Sequence, residues 1–308
     1  MTRHTRTNPI PIILDTDIGW DIDDTWALVM LLNSPELDVK LILTDTGDTI
    51  YRAKIVAKLL EIAGRVDIPI GVGQHQDDHA GPQAQWVEGY DLERYPGVVY
   101  REGVKALIDM IMNSPEPMTL VSIAPLTNIA AALEMEPRLA ERARFIGMHG
   151  SIRRGYAGSA EIVAEYNVKV DTPACQRVFT VPWNITITPL DTCGIVSLHD
   201  EKYRRVRDTA SPLVRALMEN IRIWAKHISP DWLNYLDVET DSSTLFDTVA
   251  IYLAFSEDLL VMEQLGIRVT DAAYTVIDDQ AKLINCATGW KDLGAFEDLL
   301  VARLTGKM

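Results

Sequence analysis

The sequence predicts an α/β protein built on a mainly parallel sheet, and three observations predict it. Short apolar runs alternate with longer segments of helical periodicity through the first two-thirds of the chain. Aspartates crowd the turn between the first such run and the helix after it, at the carboxyl end of a strand, where open α/β sheets place their ligands. No repeat, linker or low-complexity segment divides the chain. Its 308 residues, 47% of them hydrophobic, suffice for one substantial core, so a single domain is expected.

The elements follow in order. IPIIL (10–14) reads as a strand and WALVMLL as the helix behind it; LDVKLIL (37–43) is the next strand, returned by a helix over residues 51–63. MTLVSI (118–123) and a helix beginning near Leu126 repeat the unit, which makes βαβ crossovers and a parallel sheet the economical reading. ARFIGM (143–148) and NITITPL (184–190) are further strands, with a helix over residues 172–180 before the second. Residues 208–227, rich in Leu, Ile, Met and Trp, predict a long helix; Ser-Pro-Asp-Trp then signals a turn, and another helix starts near Ser243. Residues 208–243 therefore read as a mobile helical cap over a pocket. The chain closes with β-like stretches at 259–269 and 274–277 and a helix at 293–304.

Composition excludes several classes. The opening MTRHTRTNP is polar and basic with no apolar stretch behind it long enough for a signal peptide, and the longest apolar run, residues 27–32, cannot span a bilayer. A soluble, cytoplasmic protein with no membrane partner is expected. Cys175, Cys193 and Cys286 are an odd set without CxxC or zinc spacing, so they read as reduced core thiols. Forty-four acidic against 29 basic residues, a net charge of −15, would repel a phosphate backbone and argue against nucleic acid as a partner.

The turn IILDTDIGWDIDDTWAL carries aspartates at 15, 17, 21, 23 and 24. Capping the following helix accounts for one or two of them. Crowding the rest together costs repulsion unless a cation is present, and an all-oxygen donor set suits Ca²⁺ or Mg²⁺ better than zinc.

These residues carry a resemblance. Asp15-Thr-Asp17-Ile-Gly19 with the later Asp23-Asp24 pair resembles the N-terminal aspartate signature of the nucleoside hydrolases. Ile123-Ala-Pro-Leu-Thr-Asn128-Ile-Ala resembles that family's segment after the middle strand, and Ala164-Glu165-Tyr-Asn167 followed by Asp171 resembles its ribose-binding segment. Phe246-Asp247-Thr-Val-Ala resembles its late metal-ligand segment. Four ordered matches span nearly the whole chain.

The resemblance implies a three-layer αβα domain over residues 1–308 with a doubly wound, Rossmann-like sheet, the nucleoside hydrolase fold. It implies calcium-dependent hydrolysis of the N-glycosidic bond of a small-molecule ribonucleoside, releasing ribose and base, by a homodimer or homotetramer. Carried over residue by residue, Asp17, Asp24 and Asp247 would bind Ca²⁺ through side chains and Ile123 through its main-chain oxygen. Asp17 would also be the general base for the attacking water. Asp23, Asp48, Glu165 and Asn167 would grip the ribose as oxocarbenium character develops. Asp171 is read as a helix cap.

Four departures bear on the substrate. Asp17 precedes Asp23 by six positions, two more than in the commoner motif, so Asp21 competes with Asp23 for the sugar. Asp48 replaces an asparagine near the ribose. In the stretch from Gly150 to Ala160 a further sugar-binding asparagine is missing, with Ser159 or a backbone group as its substitute. Phe246 stands where several relatives carry the histidine that protonates the departing base. Solvent, His227, or aromatic stacking would then have to serve, with Trp86 in the loop after the third strand assigned to the pocket and Trp232 to the cap-like segment. Trp224, at helical spacing with Ile221 and Ile228, reads as packing. Arg153 and Arg154 raise the alternative of a phosphorylated or larger riboside.

Other classes fit less well. A haloacid-dehalogenase-like phosphatase would also place Asp-x-Asp after an apolar strand, but wants Thr or Val where Gly19 stands. A dinucleotide-dependent oxidoreductase needs a glycine-rich turn after the first strand, and Gly71-Val-Gly73 is too short a match. A non-catalytic ribose or nucleoside sensor would keep the metal site and lose the leaving-group acid.

Overall fold

A computed structural model describes residues 8–228 and 236–306. Ten strands form the sheet: β1 (Ile10–Thr16), β2 (Leu37–Thr44), β3 (Ile70–Val72), β4 (Val99–Tyr100), β5 (Met118–Ser122), β6 (Ala143–Met148), β7 (Ile185–Thr188), β8 (Leu260–Val269), β9 (Thr275–Ile277) and β10 (Leu283–Trp290). Their order is β4-β3-β2-β1-β5-β6-β7-β10-β8-β9. The first seven strands and β10 run parallel, while β8 and β9 add an antiparallel edge.

Period-two alternation splits the strand residues between two cores. Ile12, Leu14, Ile42, Val121 and Ile146 face one, and Ile13, Leu41, Leu43, Leu120 and Phe145 face the other. Helices cover both faces, giving the expected αβα layering. Helix α1 (Asp23–Leu32) is buried from Asp23 to Leu31, because it lies under the helices Pro212–Trp224, Thr248–Leu253 and Leu293–Thr305. Helix α2 (Thr49–Ala63) is capped by Asp48, whose Oδ1 accepts from the Tyr51 N–H at 2.8 Å, and ends on Gly64 at φ 66°.

Strand order reverses between β1 and β5, so the turn after β1 and the segment after β5 open at one switch point. Gly73, at the end of β3, shows how tightly this end is built. A Cβ there would sit 2.0 Å from the Thr44 oxygen and 2.5 Å from Asn128 Nδ2. Gly71-Val-Gly73 therefore serves backbone packing.

Several elements differ from expectation. A separate helix, Asp200–Arg207, precedes the expected 208–227 stretch, whose own helix is shorter, Pro212–Trp224, started by Ser211 with Pro212 at its first turn. That second helix packs into the large core through Leu213, Val214, Leu217, Met218 and Ile221, and residues 229–235 of the expected cap lie outside the described residues. The helix expected from Ser243 begins at Thr248. A helix at Gly103–Asn113 and strand β10 were not foreseen. Among the described residues no helix is long and apolar enough to cross a membrane.

Candidate active site

The turn after β1 folds its aspartates inward. Asp15, Asp17, Asp23 and Asp24 are buried, and Asp21 is half-buried. Thr16 Oγ1 donates to Asp24 Oδ1 at 2.5 Å and accepts from the Ile18 N–H at 3.1 Å, which curls the turn back over the strand end. Asp247, at the start of the helix Thr248–Leu253, completes the cluster. Carboxylate oxygens of Asp23, Asp24 and Asp247 all lie within 4.8 Å of one another. Asp17 stands beside this triad, and its charge acts on all three.

Burial raises every one of these acids, and mutual repulsion adds to it. Asp23, Asp24 and Asp247 are held well above the ordinary carboxylate range, and Asp21 is pushed up to about 6. Asp17 is raised by burial against the opposing pull of Arg52. The Arg52 guanidinium is itself buried, donating to the carbonyls of Thr46 (2.7 Å) and Ile18 (3.0 Å). One guanidinium does not neutralise four carboxylates, and the charges of Asp23 and Asp24 bear directly on Asp247. A hard divalent cation with oxygen ligands fits this donor set.

Beneath the triad a second acidic layer braces it. Asp15, fully buried and pushed up to about 7 by desolvation, accepts from Asn128 Nδ2 at 3.0 Å and Ser122 Oγ at 2.9 Å. Asn128 also donates Nδ2–H to the Thr44 oxygen (3.0 Å) and its backbone N–H to Asp45 Oδ2 (3.1 Å), and accepts from the Gln74 N–H (3.0 Å). Asp45 is fully buried and raised by desolvation, with Oδ1 lacking a hydrogen-bond partner among the described residues. Sequence reasoning assigned no role to Asp15, Asp45, Asn128 or Arg52. The usable signal was the polar run Thr-Asp-Thr-Gly directly after apolar β2, at the same sheet edge as the aspartate turn.

The opposite wall comes from β5 and β6. Ile123 follows β5 with its N–H on the Asp15 oxygen at 2.9 Å, and its own oxygen is 3.4 Å from Asn167 Nδ2. Asn167 also donates to the Met148 oxygen at 3.1 Å. Glu165 caps the helix Tyr166–Val170, accepting from the N–H groups of Asn167 (2.8 Å), Val168 (3.3 Å) and Gly150 (3.0 Å). Burial pushes it up to about 7 despite those bonds. The structure thus brings Asp17, Asp23, Asp24, Asp247, Ile123, Glu165 and Asn167 to one end of the sheet.

Other expected site residues are placed differently. Asp48 spends a carboxylate oxygen capping α2. Trp86 lies in a 3₁₀ turn, Ala84–Val87, with its ring buried in the large core, Nε1 donating to Glu219 (3.3 Å) and Lys58 Nζ 4.3 Å from the ring centroid. Its hydrogen bond and packing are satisfied within the chain. His227 is exposed on the turn after the helix Pro212–Trp224, and Trp232 lies outside the described residues. Trp224 is buried and donates to the Trp20 oxygen at 3.2 Å, as the packing reading holds. Asp171 caps the helix Thr172–Thr180 through the Ala174 N–H at 3.0 Å. Ser159 Oγ accepts from the Glu161 N–H at 3.2 Å inside its own loop. Arg153 forms a bidentate ion pair with Glu263 at 2.6 and 3.0 Å.

Comparison with known proteins agrees with this geometry. The family profile described as inosine-uridine preferring nucleoside hydrolase matches residues 12–295. The chain is 31% identical over 234 residues to the inosine-uridine preferring nucleoside hydrolase of Leishmania major, covering 71% of this chain and 72% of that protein. It is 30% identical to the pyrimidine-specific ribonucleoside hydrolase RihA of Citrobacter koseri, covering 68% and 69% respectively. Among solved structures, a plant nucleoside hydrolase, PpNRh1, superposes with a TM-score of 0.77 at 24% identity over 97% of this chain and 99% of that one. A purine-preferring ribonucleoside hydrolase from Gardnerella vaginalis gives 0.76 at 20% identity over 96% and 98%. The chain belongs to the nucleoside hydrolase family, whose members are N-glycosyl hydrolases.

Proposed function

We propose that the chain is a calcium-dependent ribonucleoside hydrolase that works at the switch point between β1 and β5. The observation that carries this reading is the convergence of three buried carboxylates, from the start of α1 and from Asp247, within 4.8 Å. Asp23, Asp24 and Asp247 would hold the cation, with Asp17 and the Ile123 oxygen beside them. When bound, the ion neutralises these carboxylates and acts as a Lewis acid toward water and sugar hydroxyls.

The chain's own residues do the remaining work. Asp17, buried and adjacent to the triad, accepts the proton of the water that adds to the anomeric carbon. Glu165 and Asn167, fixed by backbone hydrogen bonds, orient the ribose hydroxyls, and the ionised Glu165 carboxylate presents negative charge to the oxocarbenium-like centre. The apolar cores beneath keep bulk water from these groups.

Chelator treatment followed by calcium add-back tests the reading on a panel of ribonucleosides, with ribose release as the signal. Activity lost on chelation and restored by Ca²⁺, with 2′-deoxynucleosides turned over at least roughly a hundredfold more slowly, is the expected result. Full activity after chelation, or equal turnover of a ribonucleoside and its deoxy counterpart, would discard it.

A further inference from the structure

Phe246 cannot donate a proton, yet it adjoins Asp247 of the triad. A departing purine or pyrimidine needs a hydrogen-bond donor as the C–N electron pair collects on a ring nitrogen. Tyr156 packs edge-on against Phe246, with ring centroids 5.9 Å apart at an interplanar angle of 90°. At its other end the Tyr156 hydroxyl accepts from the Tyr166 N–H at 3.1 Å, between the Glu165 and Asn167 that face the ribose. The ring therefore bridges the metal-side and sugar-side walls.

Three properties suit this hydroxyl to a leaving group. It accepts a backbone N–H, while among the described residues nothing accepts its own hydrogen. The residue is 38% exposed, so a ligand can reach it. Desolvation first, then the charge of Glu165, holds the phenol above its ordinary range, so it meets the base as a neutral hydrogen-bond donor and not as a strong acid. The loop that carries it is held in an uncommon shape: Ala157 lies at φ 53°, Gly155 N–H bonds the Ser159 oxygen at 3.0 Å, and Ser151 Oγ donates to the Arg154 oxygen at 2.7 Å.

We infer that Tyr156 is the hydrogen-bond donor to the departing base, standing in for the acid that Phe246 cannot be. The inference rests on the hydrolase reading above. As the N-glycosidic bond breaks, its electron pair goes to the ring nitrogen, which accepts a hydrogen bond from the Tyr156 O–H; the proton that completes the free base comes from solvent. The water adding to the anomeric carbon gives its own proton to Asp17, so the sum is riboside plus water to ribose plus base.

The test compares wild type and Tyr156→Phe on a ribonucleoside and on p-nitrophenyl riboside, whose leaving group departs as a stable anion. The isosteric variant keeps the contact with Phe246, and the nitrophenyl rate reports whether the Glu165–Asn167 wall survives. The expected result is a fall in kcat of at least roughly tenfold on the nucleoside with less than about a threefold change on the nitrophenyl substrate. Equal losses on both substrates would make Tyr156 a positioning residue for that wall, and no loss on either would remove it from the reaction; both overturn the inference. A wild-type protein inactive on both substrates would instead overturn the hydrolase reading, and this inference with it.

Discussion

At the scale of single residues, function and stability pull against each other in the acidic triad. Asp247 is buried against Asp23 and Asp24, and both raise the cost of ionising it. Replacing it with asparagine removes one unfavourable buried charge and one cation ligand together. Asp247→Asn is therefore expected to lower ribonucleoside turnover by roughly a hundredfold or more while leaving the chelator-treated protein at least as heat-stable as wild type. Activity assays beside thermal melts check it, and a large drop in metal-free Tm would show that the carboxylate is needed for the fold. Asn128 is the opposite case. Its side chain, fully buried, ties Asp15, Thr44 and Gln74 together by three hydrogen bonds of 3.0 Å at a strand end. Asn128→Leu leaves those partners buried and unmatched, so a loss of about 3 kcal/mol is expected from denaturant midpoints, and less than about 1 kcal/mol would contradict the bracing role.

Elements show why some of this was legible in sequence and some was not. The parallel strands were readable because each is a run buried on both faces, as in IPIIL and ARFIGM, and the aspartate turn was readable because five like charges beside a buried strand have few structural explanations. Strand β10 was missed because LINCATGW mixes Asn, Thr and Gly into a strand that pairs parallel with β7 on one side and antiparallel with β8 on the other. The helix over 208–227 was overextended because periodicity runs through Thr209 to Ser211, where Pro212 resets the chain. Asp45 and Tyr156 were invisible for another reason: each acquires its neighbours from strands or loops distant in the chain. Asp48 misled by proximity, standing three residues from Asp45 and serving as a cap. Glu165 combines cap and site, which makes a testable pair. Glu165→Ala removes an acceptor from three N–H groups and is expected to cost about 2 kcal/mol. Glu165→Gln keeps an acceptor oxygen but cannot ionise. Because burial raises the folded carboxyl from 4.5 to about 7, Glu165 supports the fold fully below pH 4.5 and loses that support as pH rises through 7. The Gln variant should accordingly show a flatter dependence of stability between pH 5 and 8; an unchanged slope in denaturation across that range would contradict it.

Over the whole molecule, a net charge of −15 and a cluster of desolvated acids set how the fold responds to pH. Asp15 and Glu165 at about 7 and Asp21 at about 6 all lie above their unfolded values, so without a cation the folded state binds more protons and loses stability from about pH 5 upward. His149 works in the other direction. It is fully buried with Nε2 3.0 Å from the Ala124 oxygen, and desolvation lowers it from 6.5 to about 4. Its neutral form is the folded one, so its support is complete above pH 6.5 and is lost as pH falls from 6.5 toward 4. These opposed limbs place the stability maximum of the chelated protein near pH 5 to 6. Calcium changes the alkaline side alone, since binding requires ionised carboxylates. At a calcium concentration a hundredfold above the dissociation constant, linkage adds about 2.7 kcal/mol. Melting curves recorded from pH 4.5 to 8.5, with calcium and with chelator, should therefore separate progressively above pH 6 and converge below pH 5. In His149→Gln the acid limb below pH 6 should flatten while the calcium-dependent separation at pH 8 stays as it was. Curves that coincide at every pH would mean the triad holds no calcium, and an unaltered acid limb in the variant would mean that groups other than His149 set it.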